Sequence, residues 1–187
     1  TVGVLGTGKI GRVFAELMRG FGCRVLLYDK FPNTEMEDKG FPYVDLSTLL
    51  KESDILSLHV PLLPETAQII NSGTLKMMKD GAMLINTSRG GLINTEHALQ
   101  ALRNRKLGYL GIDVYEQEEG VFFQNLQEQI IDDNTLALLM SFPNVLVTAH
   151  QAFFTREALD EITRITLQNI EDFSKGRDNE NRVELPE

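Results

Sequence analysis

The sequence predicts an α/β protein in which a doubly wound parallel sheet of about seven strands is followed by a long C-terminal helix. Two observations carry this expectation. Short, continuously apolar runs alternate with longer stretches whose apolar residues recur at helical spacing, and a glycine-rich turn joins the first run to the first helix. Strands apolar on both faces must be covered twice, and right-handed crossovers between parallel strands supply helices on either side.

Thr1 to Leu5 reads as the first strand, Ile10 to Arg19 as the first helix and Arg24 to Tyr28 as the second strand. The polar stretch from Asn33 to Lys39 has no clear period, and the apolar pair Tyr43-Val44 follows it. Asp45 caps a short helix running to Leu50, ahead of strand Ile55 to Val60, and Pro61 and Pro64 then enforce a loop. A helix over Ser72 to Met78, strand Ala82 to Asn86, helix Thr95 to Asn104 and strand Leu107 to Ile112 continue the alternation. A long irregular segment leads to the last strand, Asn144 to Thr148. From Phe154 to Lys175, Leu159, Ile162, Ile165, Leu167, Ile170 and Phe173 recur at helical spacing, and Gly176 supplies a stop. Residues 1–176 are expected to form one domain, with 177–187 a charged, loosely held tail.

The chain has 187 residues, 42% of them hydrophobic, and a formal net charge of -9. That charge argues against a nucleic-acid surface, which needs clustered Lys and Arg, and no apolar run approaches bilayer length. A lone Cys23 cannot form an internal disulfide; it reads as a small core residue, and a reducing cytoplasm is the expected compartment. No cleavable signal segment and no metal site are expected. Thr1 opens directly on a buried strand without turn, cap or polar leader, so the chain is expected to be cut at a domain boundary.

Gly6-Thr7-Gly8-Lys9-Ile10-Gly11 follows a strand and opens a helix. Glycines at these positions make the tight turn, admit a pyrophosphate to the backbone and let helix and strand pack closely, while the helix N-terminus faces the phosphates. Asp29 ends the second strand, where its carboxylate can accept the adenosine ribose hydroxyls and would repel a 2′-phosphate. Strand, turn, helix and acid in this order predict a Rossmann βαβ unit that prefers NAD over NADP.

Ligands of open α/β sheets gather outside the carboxyl ends of the strands. At those ends stand His59-Val60-Pro61, Asn86-Thr87-Ser88-Arg89-Gly90-Gly91, Asp113 and Thr148-Ala149-His150. Arg89, on a tight turn, could hold a carboxylate in its planar fork and polarise a neighbouring carbonyl. His150 is the best acid/base candidate of the three histidines; His97 reads as solvated, and His59 could face the cofactor, though spacing assigns it no chemistry. A carboxylate partner for the imidazole could be Glu116, Glu118 or Glu119, and spacing does not choose among them.

Together, Gly6 to Gly11 with Asp29, Asn86 to Gly90, Asp113-Val114-Tyr115-Glu116-Gln117-Glu118 and Thr148-Ala149-His150 resemble the D-2-hydroxyacid dehydrogenase family. Within it, His150-Gln151-Ala152-Phe153, the missing proline after Glu118 and the insertion from Gly120 to Asp133 are similar to the fermentative D-lactate dehydrogenase branch. The resemblance implies that Arg89 binds and orients the substrate, that His150 donates the proton in ketone reduction and that Glu118 hydrogen-bonds this histidine. It also implies cofactor contacts from Gly6, Gly8, Lys9, Ile10, Gly11 and Asp29, from Val60, Pro61 and Thr66 on the adenosine side, and from Thr87, Ser88, Arg89 and Asp113 further along. The implied reaction is hydride transfer from NADH to a small 2-keto acid, pyruvate first, in a homo-oligomer paired through its cofactor domains. A substrate domain ahead of residue 1 is implied too. Alternatives within the family are reductases of hydroxypyruvate or glyoxylate, or phosphoglycerate dehydrogenase; formate dehydrogenase is disfavoured because that branch has Gln in place of Glu118. An NAD-sensing, corepressor-like binding protein is the alternative of a different class.

Overall fold

In the computed structural model, residues 1–117, 133–179 and 181–183 are described, and they fall into two compact units, Thr1–His150 and Gln151–Glu187. The first unit holds six parallel strands: β1 (Val2–Leu5), β2 (Val25–Tyr28), β3 (Ile55–Leu58), β4 (Ala82–Asn86), β5 (Leu107–Ile112) and β6 (Val145–Val147). Their order across the sheet is β2-β1-β3-β4-β5-β6. The chain therefore reverses direction at β1, between the β1–β2 and β1–β3 pairings, and a ligand crevice opens at such a point. Six strands are described where about seven were expected, and Tyr43 adds only a single parallel bridge to Leu27. Pro42 immediately precedes Tyr43, and Asp45, the N-cap of the next helix, follows Val44, so neither side extends this bridge into a ladder.

Among the described residues of the first unit, six α-helices connect the strands: α1 (Lys9–Gly20), α2 (Thr34–Asp38), α3 (Leu46–Glu52), α4 (Ser72–Met77), α5 (Thr95–Arg103) and α6 (Asn134–Ser141). Local chemistry sets their starts. Asn33, Asp45, Asn71, Asn94 and Asp133 each accept a backbone N–H of the first turn through the side chain. Two elements depart from the sequence expectation. The polar stretch after Asn33 is a short helix, and α6 forms inside what read as irregular chain; α6 is apolar nearly all round, so it lacks the one-sided period that marks a surface helix.

Alternate strand residues feed two separate cores. Leu5, Leu26, Leu56, Leu58, Leu84 and Leu110 join the larger cluster with α3 to α6, whereas Val2, Val4, Val25 and Leu27 join a smaller one with α1 and α2. Cover of the second face is thus concentrated on β1 and β2. Over β4 to β6 that face carries an apolar hollow lined by Met83, Ile85, Tyr109 and Leu146, with Tyr109 and Leu146 more than half exposed. Cys23 lies partly buried against the smaller cluster.

The second unit contains α7 (Arg156–Ser174), capped by the Thr155 hydroxyl and closed by Gly176 at φ +61°. Leu159, Ile162, Leu167, Ile170 and Phe173 are all exposed on it. Among the described residues, no helix is long and apolar enough to cross a membrane.

Candidate functional site

The glycine turn is built for close approach. Gly6 has φ +102°, and a Cβ there would sit 2.7 Å from the backbone of His59 and Val60. A Cβ on Gly11 would meet the carbonyl oxygen of Gly6 at 2.0 Å. Gly8 differs: a Cβ would project into open space. Gly8 is also the N-cap of α1, with no side-chain cap and no acidic residue in the first turn, and Lys9 and Ile10 lie exposed beside it. The first amides of α1 therefore face outward without a side-chain acceptor, an arrangement suited to a phosphate or pyrophosphate.

Asp29, at the end of β2, leans toward this turn. Its Oδ2 accepts the Thr7 amide at 2.6 Å and the Thr7 hydroxyl at 3.0 Å, and its Oδ1 accepts the Phe31 amide at 2.9 Å. The acid is thus held beside the phosphate turn, where an adenosine ribose would lie.

Behind the turn stands His59. Its Nε2 lies 2.9 Å from the Ser57 hydroxyl and its ring packs at 5.1 Å from that of Phe14 on α1. Burial pushes its pKa down to about 4, so the imidazole is neutral near pH 7. Sequence spacing left this histidine without a role; it is a spacer between β3 and α1.

A run of hydrogen bonds links the strand ends further along the rim. The Ser88 hydroxyl donates to Val60 O at 2.7 Å, and the Ser88 amide donates to Asn86 Oδ1 at 3.0 Å. Asn86, fully buried, also donates through Nδ2 to Arg89 O at 2.9 Å, and its own carbonyl accepts the Asp113 amide at 2.9 Å. The Thr148 hydroxyl donates to Asp113 Oδ1 at 2.5 Å, and the His150 amide donates to Asp113 O at 2.5 Å. Val60, Ser88, Arg89, Asp113 and His150 consequently share one rigid scaffold. Asn86 and Thr148 are its joints, and sequence reasoning gave neither a role, although an Asn two residues before a Ser is a recognisable turn signal.

Arg89 projects from this scaffold with extended backbone and an exposed side chain, one guanidinium N–H donating to Ser88 O at 2.7 Å. The next residue must be glycine, because a Cβ on Gly90 would fall 2.1 Å from the Tyr115 carbonyl group. That contact presses the arginine turn against the segment after β5. Ala149 and His150 both adopt positive φ, 50° and 55°, a costly conformation for non-glycine residues that aims the histidine off the end of β6.

One implied contact residue has its hydroxyl engaged within its own loop. The Thr66 hydroxyl donates to Pro61 O at 2.6 Å and accepts the Leu63 amide at 2.8 Å, stapling its own loop. Of the glutamates, Glu116 is engaged elsewhere, accepting Gln68 Nε2 at 3.1 Å and the Thr95 amide and hydroxyl at the N-terminus of α5. Glu118 and Glu119 lie outside the described residues. Thr87 lines the rim beside Asp113 and Thr148, and His97 is exposed on α5 as expected.

Comparison with known proteins gives a consistent result. Residues 1–152 match the family described as D-isomer specific 2-hydroxyacid dehydrogenase, NAD binding domain. The D-lactate dehydrogenase of Curvularia clavata is 51% identical over 176 residues, covering 94% of this chain and 50% of that protein. The solved pyruvate reductase of Chlamydomonas reinhardtii superposes with a TM-score of 0.92 at 47% identity, over 96% of this chain and 55% of its own. The D-lactate dehydrogenase of Aquifex aeolicus, solved with NAD and lactic acid, gives a TM-score of 0.87 at 38% identity, over 94% and 53% respectively. The chain spans about half the length of the curated relatives it matches.

Proposed function

This chain belongs to the D-isomer specific 2-hydroxyacid dehydrogenase family, matched over the NAD binding domain, and from that premise we propose that it is the cofactor-binding part of an NAD-dependent D-lactate dehydrogenase reducing pyruvate. The observation that carries the reading is the single hydrogen-bonded rim on which Arg89, Asp113 and His150 stand, continuous through Ser88 and Val60 with the crevice beside the glycine turn. The names of the relatives support the pyruvate–lactate pair over other pairs of 2-keto and 2-hydroxy acids.

NADH, when bound, supplies a hydride to the carbonyl carbon of the keto acid. The Gly6–Gly11 turn and the exposed amides of α1 would hold its pyrophosphate, Asp29 its adenosine ribose and Asp113 its carboxamide. Arg89 would grip the substrate carboxylate through the guanidinium fork and stabilise negative charge growing on the carbonyl oxygen. His150 would give that oxygen its proton, with Glu118 favouring the protonated imidazole. Carbonyl carbon gains a hydride and carbonyl oxygen a proton, so the keto acid leaves as a 2-hydroxy acid. The reading includes a homo-oligomer paired through this domain, in the cytoplasm.

Steady-state kinetics on the complete protein, with pyruvate, hydroxypyruvate and glyoxylate against NADH and NADPH, test the proposal. The expected result is highest kcat/KM for pyruvate with NADH. A preference for hydroxypyruvate or glyoxylate would move the enzyme to another branch of the family, and NADH binding without turnover of any 2-keto acid would favour a sensing role.

A further inference from the structure

We propose that Tyr43 and Thr7 are specificity-determining positioning residues, which hold the Asp29 carboxylate in the one orientation that accepts an adenosine ribose and turns away a 2′-phosphate. The inference rests on the NAD-binding reading above and names the residues that make it selective.

Four hydrogen bonds form a one-way chain. The Asn33 amide donates to the Tyr43 phenol oxygen at 3.0 Å, the Tyr43 hydroxyl donates to Thr7 Oγ1 at 2.9 Å, and the Thr7 hydroxyl and amide both donate to Asp29 Oδ2, at 3.0 and 2.6 Å. Both ends fix the direction, since an amide N–H can only donate and a carboxylate can only accept. Each hydroxyl therefore has its single proton committed, and a chain aligned this way polarises toward the carboxylate.

The consequence lies in what remains open on Asp29. A carboxylate offers about four acceptor sites; Thr7 fills two on Oδ2 and the Phe31 amide fills one on Oδ1. An incoming ribose hydroxyl thus meets Oδ1, in a direction set by Thr7 and Phe31. The same tether denies the acid an escape. A loosely held carboxylate could rotate away from a 2′-phosphate and leave it to the neighbouring Lys30 ammonium, which here pairs with Glu65 at 3.2 Å. Tyr43 is itself fixed by the lone bridge to β2, with the Leu27 amide donating to Pro42 O at 3.0 Å and the Val44 amide to Leu27 O at 2.9 Å. The bridged segment at Tyr43 is thereby the anchor of the cofactor-selecting acid.

Equilibrium titration of NADH and NADPH into the 187-residue chain, with Tyr43→Phe, Thr7→Val and Thr7→Ser variants, tests this, circular dichroism reporting the fold of each. Tyr43→Phe and Thr7→Val are expected to weaken NADH by about three- to tenfold, the range of one lost hydrogen bond, while NADPH changes less than about twofold. Thr7→Ser should keep the parent preference because its hydroxyl is retained. An unchanged NADH-to-NADPH ratio in Tyr43→Phe and Thr7→Val, including an equal loss of both cofactors, would overturn the inference and leave the network a structural tie. If Tyr43→Phe does not fold, the Thr7→Val and Thr7→Ser pair decides the matter alone. Failure of the parent chain to bind NADH would overturn the cofactor reading together with the inference, and is thereby distinguishable from an unchanged ratio.

Discussion

At the scale of single residues, the protein spends its strained and buried positions on the rim. His59 illustrates how. Its folded-state pKa of about 4 lies below the ordinary value of 6.5, so the unfolded chain binds more protons between these values. The stability His59 contributes is full above pH 6.5 and is lost as pH falls toward 4. Replacing His59 with Gln should therefore flatten the acid side of the stability curve by up to one proton, as urea titrations between pH 4 and 7 would show; an unchanged slope would mean that other groups carry it. Gly90 is constrained by contact rather than by φ. Gly90→Ala would drive a methyl group to 2.1 Å from the Tyr115 backbone, so it should lower stability by about 2–4 kcal/mol and displace the arginine turn, visible as a lower Tm.

At the scale of elements, the regular pieces with a clear hydrophobic period were legible in the chain alone. Strands Ala82–Asn86 and Leu107–Ile112 match their expected limits, and Asp45 caps α3 as anticipated. Both α2 and α6 were not legible: one is too polar and short to show a period, the other too uniformly apolar, though the Asn33 and Asp133 caps were present in the sequence. Site residues followed the same rule. Gly6 to Gly11, Asp29, Arg89 and His150 announce themselves at the ends of strands, and the Asn86 side chain acts within its own turn, whereas Thr148 and Tyr43 act through side-chain hydrogen bonds to segments distant in sequence, which no local pattern records. The turn joining β1 to α1 offers a direct check. Gly11→Ala places a methyl group 2.0 Å from Gly6 O, so it should weaken NADH binding by at least about tenfold in a fluorescence titration, and near-parent affinity would contradict the close-approach account.

At the scale of the whole molecule, the described chain presents the cofactor wall of a cleft and about half the length of its relatives. In the proposed reaction a keto acid held only by Arg89 from one side would stay exposed to water, and catalysis by orientation needs the reacting groups enclosed. The 187-residue chain on its own should therefore bind NADH yet turn over pyruvate negligibly. Turnover by it at rates ordinary for enzymes, about 1–1,000 per second, would show that this wall suffices.

In the proposed reaction His150, in a left-handed conformation after Ala149 and with its amide bonded to the Asp113 carbonyl, supplies the proton while other residues hold the cofactor. This assignment is tested most directly by His150→Ala in the complete protein, measuring kcat for pyruvate and the Kd for NADH side by side. The expected result is a fall in kcat of about 100- to 10,000-fold with NADH affinity within about twofold of the parent. Equal losses in turnover and NADH affinity, or turnover left intact, would contradict it.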